Sequence, residues 1–129
     1  MGNLEVVQEI YRAMAERDID AMFSRFAADC VVVQDPRLPW GGRWVGHEGL
    51  AGFALTLVGA IDSQVHIEAI YESDGEHVVQ FGRTVGSTRD GGTLFDVHEM
   101  HLWRLRDGQV AEAHFAIDSD RMLGALAAD

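Results

Sequence analysis

The 129-residue chain contains little cysteine and few basic residues, and each shortage excludes a class of protein. Cys30 is the only cysteine, so no internal disulfide can form, and its place beside a run of valines indicates a small buried side chain. Lysine and arginine total 10 against 21 aspartates and glutamates, giving a net charge of −11. That charge repels phosphate backbones and anionic lipids, so neither nucleic acid nor a membrane is predicted as a partner.

The sequence also lacks recognisable targeting and nucleotide-binding motifs. The opening stretch "MGNLEV" has no basic region followed by a long apolar run, so we expect a cytoplasmic protein. Neither G-x-G-x-x-G nor a Walker phosphate loop occurs, so no cofactor is expected. With 47% hydrophobic and 24% charged residues, the composition predicts one globular domain over residues 1–129.

The first half of the chain has the apolar spacing of amphipathic helices. One stripe covers residues 4–14, a short second one runs from an N-cap at Asp18 to about Ala28, and a third covers residues 50–61. The stretch "CVVVQ", between the second and third stripes, predicts a strand.

The second half is divided by three Asp-Gly turns, "SDGE", "RDGG" and "RDGQ". They predict a meander of four strands, at residues 64–73, 77–89, 93–106 and 109–118, before "SDRMLGAL" ends the chain as a short helix. We therefore predict an α+β domain in which a curved antiparallel sheet of four to five strands wraps three N-terminal helices. The space between helices and sheet is the expected pocket.

Three segments of the sequence resemble one known superfamily. In "YRAMAERDIDAMFSRFAADCVVVQDP", Tyr11 precedes Asp35 by 24 positions, and "LPWGGRWVGHEGLAGF" and "HLWRLRDGQVAEAHFAID" follow. Together they resemble the ketosteroid isomerase and SnoaL-like polyketide cyclase superfamily over essentially the whole chain. The resemblance implies a nuclear-transport-factor-like, cystatin-like cone. It also implies that Tyr11 donates a hydrogen bond to a developing enolate while Asp35 moves the proton, although an aromatic residue on a helical stripe is equally a core residue.

The third group of the isomerase site is replaced in this sequence. The family has a protonated aspartic acid on the strand that enters the last hairpin. Matching its aromatic-Arg-aromatic run to "WRL" places His101 at that position and Glu99 two residues earlier on the same strand face. A histidine can donate a hydrogen bond to an oxyanion or transfer a proton, so acid-base chemistry of this class is still expected. The replacement weakens the case for steroid isomerisation itself.

Asp35 has two interpretations. An aspartate before proline commonly starts a turn by bonding nearby backbone amides. Alternatively, Asp35 is a general base at the pocket mouth, where Pro36 stiffens the backbone and Leu38, Trp40 and Trp44 exclude water. We favour the base, because catalytic side chains concentrate on loops held by a rigid scaffold.

The remaining predicted site residues surround the pocket. We expect substrate contacts from Phe26, Trp40, Phe53, Glu99, Trp103, Phe115 and Asp118. Asp118 directly precedes the last helix and equally suits its N-cap, an alternative that we slightly favour. No metal site is predicted, because His98 and His101 are three positions apart and point to opposite faces of a strand.

The sequence is compatible with three functions. The first is an enzyme of isomerase, cyclase or dehydratase type that acts on a small hydrophobic or polyketide-like carbonyl compound, with Asp35 as base and Tyr11 and His101 holding the oxyanion. The second is a noncatalytic ligand-binding or dimerisation module. The third is an epoxide-opening hydrolase based on Glu99 and Asp118, although this chain lacks the arginine of the epoxide-hydrolase relatives.

An apolar row on the outer sheet face predicts a homodimer. Leu94, Met100 and Leu102 alternate along their strand with the residues assigned to the pocket. Large apolar side chains on a face otherwise open to water indicate an interface.

Overall fold

The structure is a computed structural model that describes all residues from 1 to 129. It contains four helices and one six-stranded sheet. In chain order the elements are α1 (Asn3–Glu16), α2 (Ile19–Ser24), β1 (Phe26–Gln34), β2 (Gly42–Val45), α3 (Gly46–Ala60), β3 (Ile61–Ser73), β4 (His77–Thr88), β5 (Leu94–Arg106), β6 (Gln109–Ile117) and α4 (Ser119–Ala127). None of the helices combines the length and hydropathy needed to cross a bilayer.

The strand order across the sheet is β2-β1-β6-β5-β4-β3. All neighbours run antiparallel except β1 and β6, which are parallel. The predicted sheet of four to five antiparallel strands is therefore corrected to six strands with one parallel pair, and β1 and β2 lie between α2 and α3. The three N-terminal helices and the short C-terminal helix of the prediction are α1 to α4. The sequence missed β2 because it has only four residues and directly follows a Pro/Gly loop. It also extended α2 to Ala28, whereas that helix ends at Ser24 and β1 begins at Phe26.

The meander predicted from the Asp-Gly turns is confirmed by β3 to β6. Asp74-Gly75 and Asp107-Gly108 all have positive φ, between 50° and 75°. This is the geometry of a tight hairpin turn, whose twist matches that of the strands it joins. The third turn, between β4 and β5, is a longer loop in which Gly92 has a positive φ of 70°.

Burial alternates along β5 and defines the two faces of the sheet. Its odd-numbered residues from Phe95 to Leu105 are buried, whereas Leu94, His98 and Met100 are exposed. α1 packs against β3 and β4, and α3 packs against β1, so the helices cover the inner face. The core holds 21 mainly apolar buried residues, and the gap left between α1, α3 and the inner face positions the site.

Candidate functional site

A partly enclosed cavity of about 490 Å³ lies between the helices and the inner face of the sheet. α1, α3 and five of the strands contribute side chains, and most of the lining is apolar. This volume is within the range of pockets that hold small molecules. Of the site residues predicted from the sequence, those that line the cavity are Tyr11, Trp40, Phe53, His101 and Phe115.

Phe115 is the centre of the aromatic part of the cavity wall. Its ring centroid lies 4.7 Å from that of His101 and 5.7 Å from that of Phe53. Trp103 packs 5.2 Å from Phe115, and Phe26 packs 6.0 Å from Trp103. The sequence placed both of these outer rings in the cavity lining, but they belong to the core behind it, where they are 0% and 2% exposed.

Tyr11 lies at the centre of a buried group of hydrogen bonds in the cavity wall. Its oxygen accepts from Trp103 Nε1 at 2.9 Å and from Gln80 Nε2 at 3.2 Å, because those N–H groups can only donate. The Tyr11 proton is left to bond His101 Nδ1, which lies 2.7 Å away and must be the unprotonated ring nitrogen. His101 is therefore neutral and carries its proton on Nε2.

Burial keeps both members of this pair neutral. Desolvation lowers the pKa of His101 to about 3, so the imidazole stays uncharged at physiological pH. Desolvation also raises the pKa of the Tyr11 hydroxyl well above its ordinary value, with a smaller contribution in the same direction from Glu99. Hydrogen bonds from Trp103 and Gln80 oppose this rise in the pKa of Tyr11 but do not cancel it. The cavity wall thus carries two neutral groups with fixed protons.

Glu99 supports this pair from behind the cavity wall. Its Oε1 lies 3.5 Å from His101 Nε2, and its carboxyl group accepts hydrogen bonds from the Thr84 hydroxyl and from Gln80 Nε2, the latter at 2.6 Å. Desolvation raises the pKa of Glu99, although both donors favour the ionised form. The side chain is fully buried and does not line the cavity. We call these six residues the polar network: Tyr11, Gln80, Thr84, Glu99, His101 and Trp103.

Asp35 lies outside the cavity lining, in the loop after β1. Its Oδ1 accepts from the Arg37 backbone N–H at 3.0 Å, and its carboxylate pairs with the Arg37 guanidinium at 2.8 Å. Hydrogen bonds from Arg37, and a smaller one from Ser119, hold the pKa of Asp35 well below its usual range. The structure therefore brings Tyr11 and His101 together at the cavity but not Asp35, and this geometry supports the turn interpretation. The role of Asp35 as base stays a prediction.

Asp118 is the N-cap of α4. Its side chain accepts a hydrogen bond from the Arg121 backbone N–H at 3.2 Å. Neither Asp118 nor Glu99 lines the cavity, so the geometry does not support epoxide opening by these two carboxylates.

Among the polar residues at the cavity that were not predicted from the sequence, three are buried. These are Gln34, Gln80 and Thr84, of which Gln34 and Thr84 line the cavity directly. A signal was present, because "VVVQ" ends β1 with Gln34 and "HVVQ" places Gln80 in β4. A glutamine at a buried strand position requires a partner.

Comparison with known proteins gives one family and one fold. The model of the SnoaL-like domain matches residues 7–113. Three solved structures each cover 96–97% of this chain, and this chain covers 96–98% of theirs. They are an NTF2-like protein of unknown function from Burkholderia pseudomallei (22% identity, TM-score 0.89), TerC co-crystallised with polyporic acid (23%, 0.88), and a putative polyketide cyclase from Xanthomonas campestris (20%, 0.84). No curated protein matches the chain.

Proposed function

Because the chain belongs to the SnoaL-like domain family, we propose that it is a small-molecule enzyme that activates the carbonyl group of an apolar substrate for acid-base chemistry. The observation that carries this proposal is the neutral Tyr11–His101 pair in the wall of an apolar cavity. His101 Nε2 lies 3.5 Å from Glu99 Oε1 without a hydrogen bond between them. In the proposed complex, this free Nε2–H donates to the carbonyl oxygen.

The low polarity of the cavity makes such a donor effective. A hydrogen bond to a developing oxyanion is far stronger in a dry site than in water. A neutral imidazole can hold the enolate oxygen by a hydrogen bond from Nε2–H. The proton is fixed on Nε2 because Tyr11 donates its own hydrogen bond to Nδ1. Isomerisation, cyclisation and dehydration next to a carbonyl all pass through such an enolate.

The substrate class follows from what lines the cavity. No aspartate or glutamate is among the lining residues, so in the proposed reaction the carbon-bound proton leaves to water or a buffer base, also for a simple ketone such as 1-tetralone, and the protein contributes by holding the enolate oxygen. A carbon between two carbonyl groups, as in polyketide-like compounds, ionises much more readily and mainly needs its enolate oxygen held. The neighbours described as a putative polyketide cyclase and as a protein co-crystallised with polyporic acid support an oxygen-bearing small molecule as the ligand.

Deuterium exchange at the carbon next to a carbonyl tests the proposal. We expect the protein to accelerate exchange at C2 of 1-tetralone, followed by NMR, and His101→Phe to slow it about 100- to 1,000-fold, the usual cost of removing an oxyanion donor. The control is His98→Phe, which makes the same change on the exposed face of β5. Exchange by His101→Phe at the wild-type rate would exclude the proposed role.

A noncatalytic ligand-binding module is the second candidate. The observation that favours it is the absence of a carboxylate from the cavity lining. Calorimetric binding of 1-tetralone without any acceleration of its exchange would support this candidate over the enzyme.

A further inference from the structure

Gln34 is a cavity residue to which the proposed function gives no role. It ends β1, is only 5% exposed, and its carboxamide makes no hydrogen bond within the protein. Gln80 Oε1 is the only buried polar side-chain atom with neither solvent contact nor a hydrogen-bond partner. The Gln34 amide also lacks a partner, so it must retain some contact with open space. Because Gln34 lines the cavity, its amide is a polar group at the cavity wall with unused hydrogen-bonding capacity.

A buried amide in this position destabilises the folded protein unless it finds a hydrogen-bond partner. Burying an amide without a partner carries a desolvation penalty that a hydrogen bond removes. The buried glutamine of β4 shows the contrast, because Gln80 Nε2 is bonded to Tyr11 and Glu99. Gln34 has no such protein partner, so only water or a ligand in the cavity can form its hydrogen bonds.

The sheet register fixes the position of Gln34 relative to the Tyr11–His101 pair. Gln34 pairs with Phe115 across β1 and β6, and Phe115 pairs with His101 across β6 and β5. Paired residues share a sheet face, and the backbones of neighbouring strands lie about 4.8 Å apart. Gln34 and His101 are two strands apart, so their Cα atoms are separated by roughly 10 Å. The ring of Phe115 stands between these two polar residues.

We propose that Gln34 binds a second oxygen of the substrate and makes the cavity selective for flat ring ketones that carry this oxygen opposite the reacting carbonyl. The inference rests on the proposed function, in which His101 holds the first oxygen. The ring then packs on Phe115 and Phe53, which line the cavity between the two polar groups. A carboxamide both donates and accepts, so a hydroxyl or a second carbonyl serves equally.

Two ketones of the same size test the selectivity. Of 6-hydroxy-1-tetralone and 6-methyl-1-tetralone, only the first can form a hydrogen bond from the ring position remote from the carbonyl, and comparing wild type with variant cancels their other differences. Calorimetry gives the ratio of their dissociation constants for each protein. In Gln34→Met, which keeps side-chain length and removes the amide, we expect the preference for the hydroxy compound to fall about three- to tenfold.

The control is Gln109→Met, the same substitution at an exposed glutamine of β6 that does not line the cavity. It should leave the preference unchanged. Thermal unfolding checks that each variant is folded. If Gln34→Met does not fold, Gln34→Asn shortens the side chain while keeping an amide, and we expect the same loss of preference.

The outcomes separate this inference from the proposed function. An unchanged preference in the folded Gln34 variant, or no binding of either ketone, overturns the inference. Exchange at C2 is measured on the same samples. If the preference depends on Gln34 but the protein accelerates no exchange, Gln34 is a ligand-binding residue and the proposed acid-base function is wrong.

Discussion

At the scale of single residues, the protein buries ionisable groups and fixes their protons by hydrogen bonds. His101 contacts two other titratable groups, Tyr11 from α1 and Glu99 from its own strand. Burial lowers the pKa of the imidazole and raises the pKa of both partners. All three shifts favour uncharged forms, as expected where water is excluded.

The buried imidazole makes stability depend on pH. Unfolded His101 binds a proton near pH 6.5, whereas the folded state resists protonation down to about pH 3. Its contribution is therefore complete above about pH 6.5 and is lost as the pH falls towards 3, by at most about 1.4 kcal/mol per pH unit. Urea unfolding from pH 4 to 7 should show this slope in the wild type and a smaller one in His101→Phe.

Glu99 acts in the opposite direction on the same measurement. Because its pKa is raised, Glu99 in the folded state still binds a proton above pH 4.5, where the unfolded chain has lost it. Its contribution to the free energy of unfolding is therefore complete below pH 4.5 and is lost as the pH rises through the raised pKa. Glu99 is present in both the wild type and His101→Phe, so the difference between them reports the imidazole together with its coupling to Glu99 and Tyr11. A difference that does not change with pH would contradict a buried, neutral His101.

Asp35→Asn decides between the two interpretations of Asp35. The amide oxygen can still accept from the Arg37 backbone N–H, but the charge pair with Arg37 is lost. We expect C2 exchange of 1-tetralone to remain close to the wild-type rate, because Asp35 does not line the cavity. A loss of about 100-fold or more, the scale for a positioned base, would restore the catalytic interpretation.

The sequence could predict only part of the candidate site. Tyr11 and His101 were identified from family spacing, which preserves positions along the chain. Spacing could not show that Asp35 would bond Arg37, because that contact depends on how the loop folds. Nor could it show that Gln34, rather than its neighbour Asp35, borders the cavity, because the last residues of a strand can point either way.

At the scale of elements, capping and turn residues mark several boundaries, and the sheet register positions the site residues. Asp18 caps α2 through a bond from the Ala21 N–H, and Asp118 caps α4 in the same way. Such local signals were readable in the sequence. The pairing of β1 with β6 was not, because a parallel pair joins segments that are distant along the chain.

Gly82 in β4 is required for the close packing of the sheet against the polar network. A Cβ there would collide with the His66 carbonyl oxygen and with Gln80 Oε1. We expect Gly82→Ala to reduce the free energy of unfolding by about 1–3 kcal/mol, the usual cost of overpacking. Urea denaturation measures this loss.

Gly124→Ala is the matched control for that substitution. Gly124 lies within α4 and has open space where a Cβ would be. Alanine should therefore stabilise the protein by about 0.5–1 kcal/mol through its higher helix propensity. Equal effects of the two substitutions would show that the contact between Gly82 and Gln80 is unimportant.

At the scale of the whole molecule, the sheet has one face around the cavity and one face with an apolar patch. Tyr71, Phe81 and Met100 on the outer face are 60%, 44% and 41% exposed. Phe81 pairs with Met100 across β4 and β5, and its ring lies 6.4 Å from that of Tyr71. Of the residues predicted for this face, Leu94 is at the start of β5 and Leu102 is half-buried.

This outer patch supports the prediction of a homodimer. Light scattering at micromolar protein should give twice the chain mass of 14.2 kDa, and Phe81→Arg should give the monomer mass because it places a charge in the patch. Leu55→Arg is the control, since Leu55 is 75% exposed on α3, away from the sheet. A monomer mass for the wild type would contradict the prediction.

The most direct test of the central claim is the infrared spectrum of a bound ketone. 1-Tetralone labelled with ¹³C at its carbonyl reports the hydrogen bond to its oxygen through the C=O stretching frequency. We expect this frequency to fall on binding to the wild type, and we expect the fall to be lost in His101→Phe but kept in His98→Phe. A bound carbonyl whose frequency is the same in the wild type and in His101→Phe would contradict it.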